Sequence, residues 1–214
     1  MGDPAQLRHI VVEGPIGAGK TSLAQRLGRQ LGAQLMLEQP DANPFLERFY
    51  RDRKRYALST QLCFLLQRTA QVIELGQLDL FRHQVITDFL LDKDPLFARL
   101  TLSDDELKLY QTIHAQIAPR APAPDLVIYL QARPETLAER VARRANPIES
   151  GISESYLRAL AESYAEFFHH YDAAPVLIVN SEHLDPTSRD EDLRLLLARI
   201  EAMRGRREYF SVGN

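Results

Sequence analysis

The chain has 214 residues, 45% hydrophobic and 26% charged, which suits one globular domain large enough to bury a sizeable core. Its 26 basic and 29 acidic residues give a net charge of −3, so no global charge excess singles out nucleic acid or a membrane surface as partner. The lone cysteine, Cys63, excludes an internal disulfide and fits a reducing compartment, and its apolar helical setting in "QLCFLLQR" marks it as an inert thiol.

The N-terminal "MGDPAQLRH" is polar and has neither the apolar stretch of a signal peptide nor the Ser or Thr of a myristoylation signal. Nothing approaches the roughly 18 apolar residues of a membrane span, so a cytoplasmic protein is expected. "HIVVEG" is the first predicted strand, and "GPIGAGKT" follows it directly. Leu23, Leu27 and Leu31 then recur every four residues, which predicts a helix with one buried stripe. "QLMLEQ" is the second strand, "STQLCFLLQRTAQ" a helix and "QVITD" the third strand. "SDDELKLY" opens a helix with a capping box from Ser103 to Glu106. The Pro-rich "APRAPAPD" is a loop leading into the fourth strand, "DLVIYL". Two helices follow, "RPETLAERVARR" with Pro134 in its first turn and "SESYLRALAESYAEFFHHY", then the fifth strand, "PVLIVN". Residues 204–214, "RGRREYFSVGN", are expected to fray. His169 and His170, adjacent in a helix and so pointing apart, are expected as a surface pair and not as metal ligands. This alternation predicts a single α/β domain over residues 1–214 with a parallel sheet.

The glycine-rich segment matches G-x-x-x-x-G-K-[ST], a loop whose backbone N–H groups point at phosphate oxygens. Gly14, Pro15, Ile16, Gly17, Ala18 and Gly19 form the loop, and Lys20, Thr21 and Ser22 open the helix behind it. Lys20 is placed to reach the β- and γ-phosphates of ATP, and Thr21 to ligate Mg2+. No D-x-x-G with a later N-K-x-D marks a GTPase, and "DKD" at residues 92–94 is only a weak echo of one. No ABC-type signature is present either, which favours a small-molecule kinase. Ligands of open α/β sheets lie beyond the carboxyl ends of the strands, where Glu38 and Asp88 fall. Glu38 suits the acceptance of a hydroxyl proton and Asp88 the holding of metal. Arg140, Arg143 and Arg144 share a helix face before the turn-rich "ANPIESG", as in a lid closing on phosphate over residues 140–152. The same three arginines equally suit a solvated face. Gln61 and Arg68 are seven apart with Phe64 and Leu65 between them, which suits recognition of a nucleobase or the polar side of an amphipathic helix.

Together the segments "IVVEGPIGAGKTSLA", "LEQPDANPFLERFYRDRKRYALSTQLCFLLQR", "DKDPLFARL", "PDLVIYLQARPETLAERVARR" and "IESGISESYLRALAESYAEFFHHY" resemble the deoxynucleoside kinase family over most of the chain. The resemblance implies a P-loop kinase fold with a five-stranded parallel sheet flanked by helices, an arginine-bearing lid and a homodimer. It implies ATP-dependent, magnesium-dependent phosphorylation of the 5′-hydroxyl of a deoxynucleoside, with a purine favoured, in nucleotide salvage. On that resemblance Glu38 is the general base, and Lys20, Arg140 and Arg144 assist the transfer. Tyr50 and Glu149 hold the 3′-hydroxyl, Gln61 pairs with the base, Arg68 and Asp94 complete that side, and Phe64 and Phe97 stack. One departure stands out. The family's Asp-Arg-Ser or Glu-Arg-Ser is here Asp88-Phe89-Leu90, and Asn146 stands where some relatives have a further lid arginine. Lys93 is the nearby cation available to replace the missing charge. A nucleoside monophosphate kinase and a non-catalytic binding subunit are the alternatives, and Glu38 beside an intact Lys20, Thr21 and Asp88 argues against both.

Overall fold

The computed structural model describes residues 4–78 and 84–212. Within the 1–214 span expected for the domain, the first three residues of the N-terminal segment and the last two of the tail therefore lie outside the described residues. The five expected strands are present: β1 (His9–Glu13), β2 (Gln34–Met36), β3 (Val85–Thr87), β4 (Leu126–Gln131) and β5 (Val176–Asn180). Eight α-helices accompany them among the described residues: α1 (Lys20–Leu31), α2 (Leu46–Arg51), α3 (Arg53–Gln77), α4 (Asp94–Thr101), α5 (Asp104–Ile117), α6 (Pro134–Arg144), α7 (Glu154–His170) and α8 (Asp190–Ala202).

All strands run parallel, and β1 is central, pairing with β3 on one side and β4 on the other. Covered on both faces, β1 is buried from end to end and so reads as an unbroken apolar run rather than an alternating one. The pleat still divides its side chains. Ile10 and Val12 join Ile128, Leu130, Leu177 and Val179 under Leu23 and Leu27 of α1 and Leu196 and Ile200 of α8. Val11 joins Val127, Tyr129 and Ile178 on the opposite face, beneath Leu160, Tyr164 and Phe168 of α7. A third cluster joins Val85 of β3 to Leu65, Val72 and Leu75 of α3 and Tyr110 of α5. The capping box at Ser103 forms: the Glu106 carboxylate accepts from the Ser103 N–H (3.0 Å) and hydroxyl (2.7 Å).

The sheet has six strands rather than five. The sixth, β6 (Arg207–Phe210), lies in the tail that was expected to fray and pairs in parallel with β5, Val176 facing Arg207 and Val179 facing Phe210. Three features hold it there. Phe210 and Val212 pack against the core under α8, Arg199 pairs with Glu208 (2.6 Å), and the Arg207 guanidinium donates to the carbonyls of His169 (2.5 Å) and Tyr171. His169 and His170 are exposed, as a surface pair should be.

Candidate active site

The chain leaves β1 into the phosphate loop at a point where backbones approach closely. A Cβ on Gly14 would stand 2.6 Å from the Leu130 carbonyl oxygen, and one on Gly17 2.8 Å from that of Leu137. Gly17 and Gly19 also take the left-handed region, with φ of 87° and 93°. Only glycine satisfies both demands. Lys20 folds back to donate to the Pro15 carbonyl (3.3 Å). Burial, followed by the nearby Lys93 ammonium, lowers the Lys20 pKa against the pull of Glu13, Glu38 and Asp88.

The two strand-end acids meet at this loop. Asp88, following β3 and 1% exposed, accepts from the Thr21 hydroxyl (2.5 Å) and from the Glu38 N–H (2.7 Å). One carboxylate therefore ties the ends of β2 and β3 to the start of α1. Glu38 Oε1 accepts from Arg68 Nε (2.8 Å) and Nη2 (2.5 Å), with Lys93 Nζ at 3.8 Å. Burial opposes ionisation of Glu38, but Arg68, Lys93 and Lys20 outweigh it and hold its pKa down to about 2.

A cavity opens between the loop and α3. Glu38, Tyr50, Gln61, Phe64, Arg68, Phe97 and Glu149 all line it, together with Lys20, Thr21 and Lys93. Asp94 stands behind that wall. It is 1% exposed and paired with Arg68 Nη1, leaving its Oδ2 buried without a hydrogen-bond partner among the described residues. Arg68 lies over the Phe64 ring at 5.0 Å, and Phe97 meets Tyr164 edge-on at 6.0 Å. Glu149 is engaged by the Arg144 guanidinium at 2.5 and 2.6 Å. Cys63, on the same helix as Gln61, is part-buried, and burial raises its pKa, away from nucleophilic character.

A second cavity lies on the other side of the loop. Arg140, Arg143 and Arg144 border it with Asp185, Pro186 and Thr187, and Gly17, Gly19, Ser22 and Arg144 are common to both cavities. Arg140 donates to the Ser181 hydroxyl (3.0 Å) and carbonyl (2.6 Å), which turns it toward this second side. Ile16 lines the first cavity and Ala18 the second, whereas Gly14 and Pro15 line neither. Phe89 and Leu90, in the departed motif, are buried in two apolar clusters. Asn146 caps the turn after α6 by accepting from the Ile148 N–H (3.1 Å).

Three elements escaped the reading of the sequence. The buried Glu13 and Tyr164 were not singled out, although an acid closing an otherwise apolar strand was a visible signal. The segment from Ser181 to Thr187 lines the second cavity, and its only signal was its place at the end of β5.

The family model described as deoxynucleoside kinase matches residues 10–203. The deoxyguanosine kinase of Bacillus subtilis (strain 168) is 32% identical over 199 residues, spanning 91% of this chain and 96% of that one. The deoxyadenosine kinase of Lactobacillus acidophilus is 30% identical over 190 residues, spanning 82% and 86%. Among solved structures, the deoxyadenosine kinase of M. mycoides with dCMP and dCDP bound superimposes with a TM-score of 0.80 at 25% identity, covering 91% of this chain and all of that one. The same kinase with dATP bound gives 0.79 at 25% identity, covering 90% and 98%. The chain thus belongs to the deoxynucleoside kinase family, as an enzyme that phosphorylates deoxynucleosides rather than a monophosphate kinase or a non-catalytic subunit.

Proposed function

We propose that this enzyme transfers the γ-phosphoryl group of ATP to the 5′-hydroxyl of a purine deoxynucleoside, deoxyadenosine or deoxyguanosine, in nucleotide salvage. The observation that carries this reading is the phosphate loop as a wall common to two cavities, with the Glu38 carboxylate beside Lys20 in one and Arg140 and Arg143 in the other. ATP occupies the arginine-lined side, its phosphates in the loop against Lys20. The deoxynucleoside occupies the Glu38 side. Because Glu38 Oε1 already accepts both Arg68 N–H groups, Oε2 is the oxygen left to accept from the 5′-hydroxyl. A carboxylate with a pKa near 2 is a weak base, which suits a loose transition state in which the hydroxyl proton leaves late. Glu38 therefore orients the nucleophile first and takes its proton second.

Tyr50 and Glu149 hold the 3′-hydroxyl, with Arg144 moving from Glu149 toward the transferring phosphoryl as the 140–152 lid closes beside Arg140. Gln61 hydrogen-bonds the base edge, Phe64 and Phe97 stack on its faces, and the Arg68–Asp94 pair stiffens that wall. The names of the relatives, deoxyguanosine and deoxyadenosine kinases, support a purine. Thr21 and Asp88, two hard oxygen donors in contact, fit Mg2+, which keeps several waters and takes few protein ligands. When bound there it neutralises the phosphate charge that builds up during transfer. No helix among the described residues is long and apolar enough to cross a membrane. A homodimer in the cytoplasm completes the reading.

The test is monophosphate formation from Mg-ATP and each of deoxyadenosine, deoxyguanosine, deoxycytidine and thymidine. We expect product from the purines, and a Glu38→Gln variant slower by about 10²- to 10⁴-fold, the usual worth of a positioned acid or base. Product from thymidine alone would overturn the base assignment, and an unimpaired variant would overturn the role of Glu38.

A further inference from the structure

Glu13 has no part in the reaction as described so far, and Lys93 has only that of a nearby cation in place of the family's missing arginine. Glu13 ends β1 directly before the phosphate loop and is fully buried. Its Oε2 accepts from the Gly14 N–H (3.0 Å) and the Tyr164 hydroxyl (3.2 Å), and its Oε1 from the Leu90 N–H (2.9 Å). Lys93 Nζ completes the shell 2.7 Å from Oε1. Donors from the loop, from α7 and from the segment after β3 make this carboxylate a fixed point of the fold, with all four of its acceptor sites used.

Lys93 closes a short helical turn before α4 and is 1% exposed, yet it borders the reaction cavity beside Lys20. Its Nζ lies 3.8 Å from Glu38 Oε1, the oxygen that Arg68 also grips. Stability is a poor explanation for such a pair, since apolar residues of similar volume serve a core as well or better than buried ions. Position is a better one. Arg68 comes from α3 and Lys93 from the turn before α4, and both draw on the same Glu38 oxygen, which fixes how the other oxygen faces the acceptor.

We propose that Lys93, anchored by Glu13, is a positioning residue that holds the Glu38 carboxylate in register for the acceptor hydroxyl. The inference rests on the reading of Glu38 as the acceptor-side carboxylate. It acts through Glu38 rather than on substrate, so its loss lowers kcat while leaving substrate affinity in place. The single variant Lys93→Met strands Glu13 as an unpaired buried charge and is prone to unfold. The paired variant Glu13→Gln/Lys93→Met strands neither charge and is the better probe. Its amide nitrogen no longer accepts from one of the N–H groups of Gly14 and Leu90, a smaller loss than an unpaired buried charge, and an unchanged KM for Mg-ATP shows that the loop has kept its place.

The experiment measures kcat and both KM values, for Mg-ATP and for the deoxynucleoside the wild type accepts, alongside thermal melting. In the paired variant we expect kcat to fall by about 10²-fold, the scale of a small misplacement of a reacting group, with each KM within about threefold. Lys93→Arg keeps the charge but moves its centre away from Glu38, so we expect kcat lowered severalfold at unchanged KM. If the paired variant does not fold, the arginine variant decides alone. Unchanged kcat in whichever variant folds, or a loss confined to KM, overturns the proposal. A wild type inactive on all four deoxynucleosides would remove the reading of the site and this inference together. An active wild type with unimpaired variants would remove this inference only.

Discussion

Arg68 bears more of the site than any other single side chain. Its guanidinium joins Glu38 to Asp94 and covers the Phe64 ring, while the side chain itself is 4% exposed. Burial lowers its pKa, but Asp94 and Glu38 more than reverse this and push it above its ordinary value. Asp94 shows the opposite balance, with burial raising its pKa against the pull of Arg68. The pair is therefore interdependent, and breaking it should cost more than deleting it. Arg68→Met leaves Asp94 buried without its hydrogen-bonded cation, and we expect about 3–5 kcal/mol of lost stability in urea unfolding. Adding Asp94→Asn should recover a large part of that, because the stranded charge is then gone. If the two losses simply add, the pair is not the coupled unit its geometry describes. The spacing of Gln61 and Arg68 on one helix face was legible in the sequence, and both do line the cavity. What spacing could not reveal is depth: Asp94 sits one layer behind Arg68, and Lys93, the residue before it in the chain, faces the cavity.

At the scale of elements, β1 and β3 are locked by a polar contact inside an apolar sheet. His9 faces Thr87, with Nε2 3.3 Å from the hydroxyl. Thr87 donates its own proton to the Phe89 carbonyl (3.1 Å), so it must accept from His9 Nε2–H. The neutral ring then has its proton on Nε2, and Nδ1 is buried without a hydrogen-bond partner among the described residues. Burial lowers the His9 pKa to about 4, and Asp125 restores only part of the loss. The sign follows from linkage. The unfolded chain takes up a proton near its ordinary pKa of 6.5 and the folded chain does not, so acid favours unfolding. Stability should be level above pH 6.5 and fall by roughly 3 kcal/mol as pH drops toward 4. Thermal melting across that range should show the slope in the wild type and a shallower one in His9→Gln. Five of the strands were legible because each is a short apolar run next to a turn, the signal that doubly covered strands such as β1 and β4 give most fully and that the exposed edge strand β2 gives least. His9 was not, because a histidine at a strand end gives no sign of whether water reaches it.

Across the whole molecule, the sixth strand decides how the sheet ends. Without β6, the outer edge of β5 would present a row of unpaired N–H and C=O groups over Val176, Leu177, Ile178 and Val179, all of them buried. With it, the edge carries Arg207 and Glu208, charged side chains of the kind that discourage pairing with another sheet. The strand escaped detection because it shows neither signal at strength. It has four residues, alternates exposed and half-buried positions, and holds an exposed Tyr209 among arginines. Its stability comes from partners distant in sequence, the carbonyls at the end of α7 and the core face that receives Phe210, and these exist only after the rest has folded. Ending the chain after Gly205 therefore removes an edge guard rather than a loose tail. We expect the truncated protein to melt lower than the full chain and to associate at concentrations where the full chain does not, as light scattering would show. Phe210→Ala, which keeps the strand and removes its apolar contact, should lower the melting temperature without association. If the truncated chain melts and scatters like the full one, β5 does not need its neighbour. The last strand would then be only the residue of a tail lying against a sheet already complete.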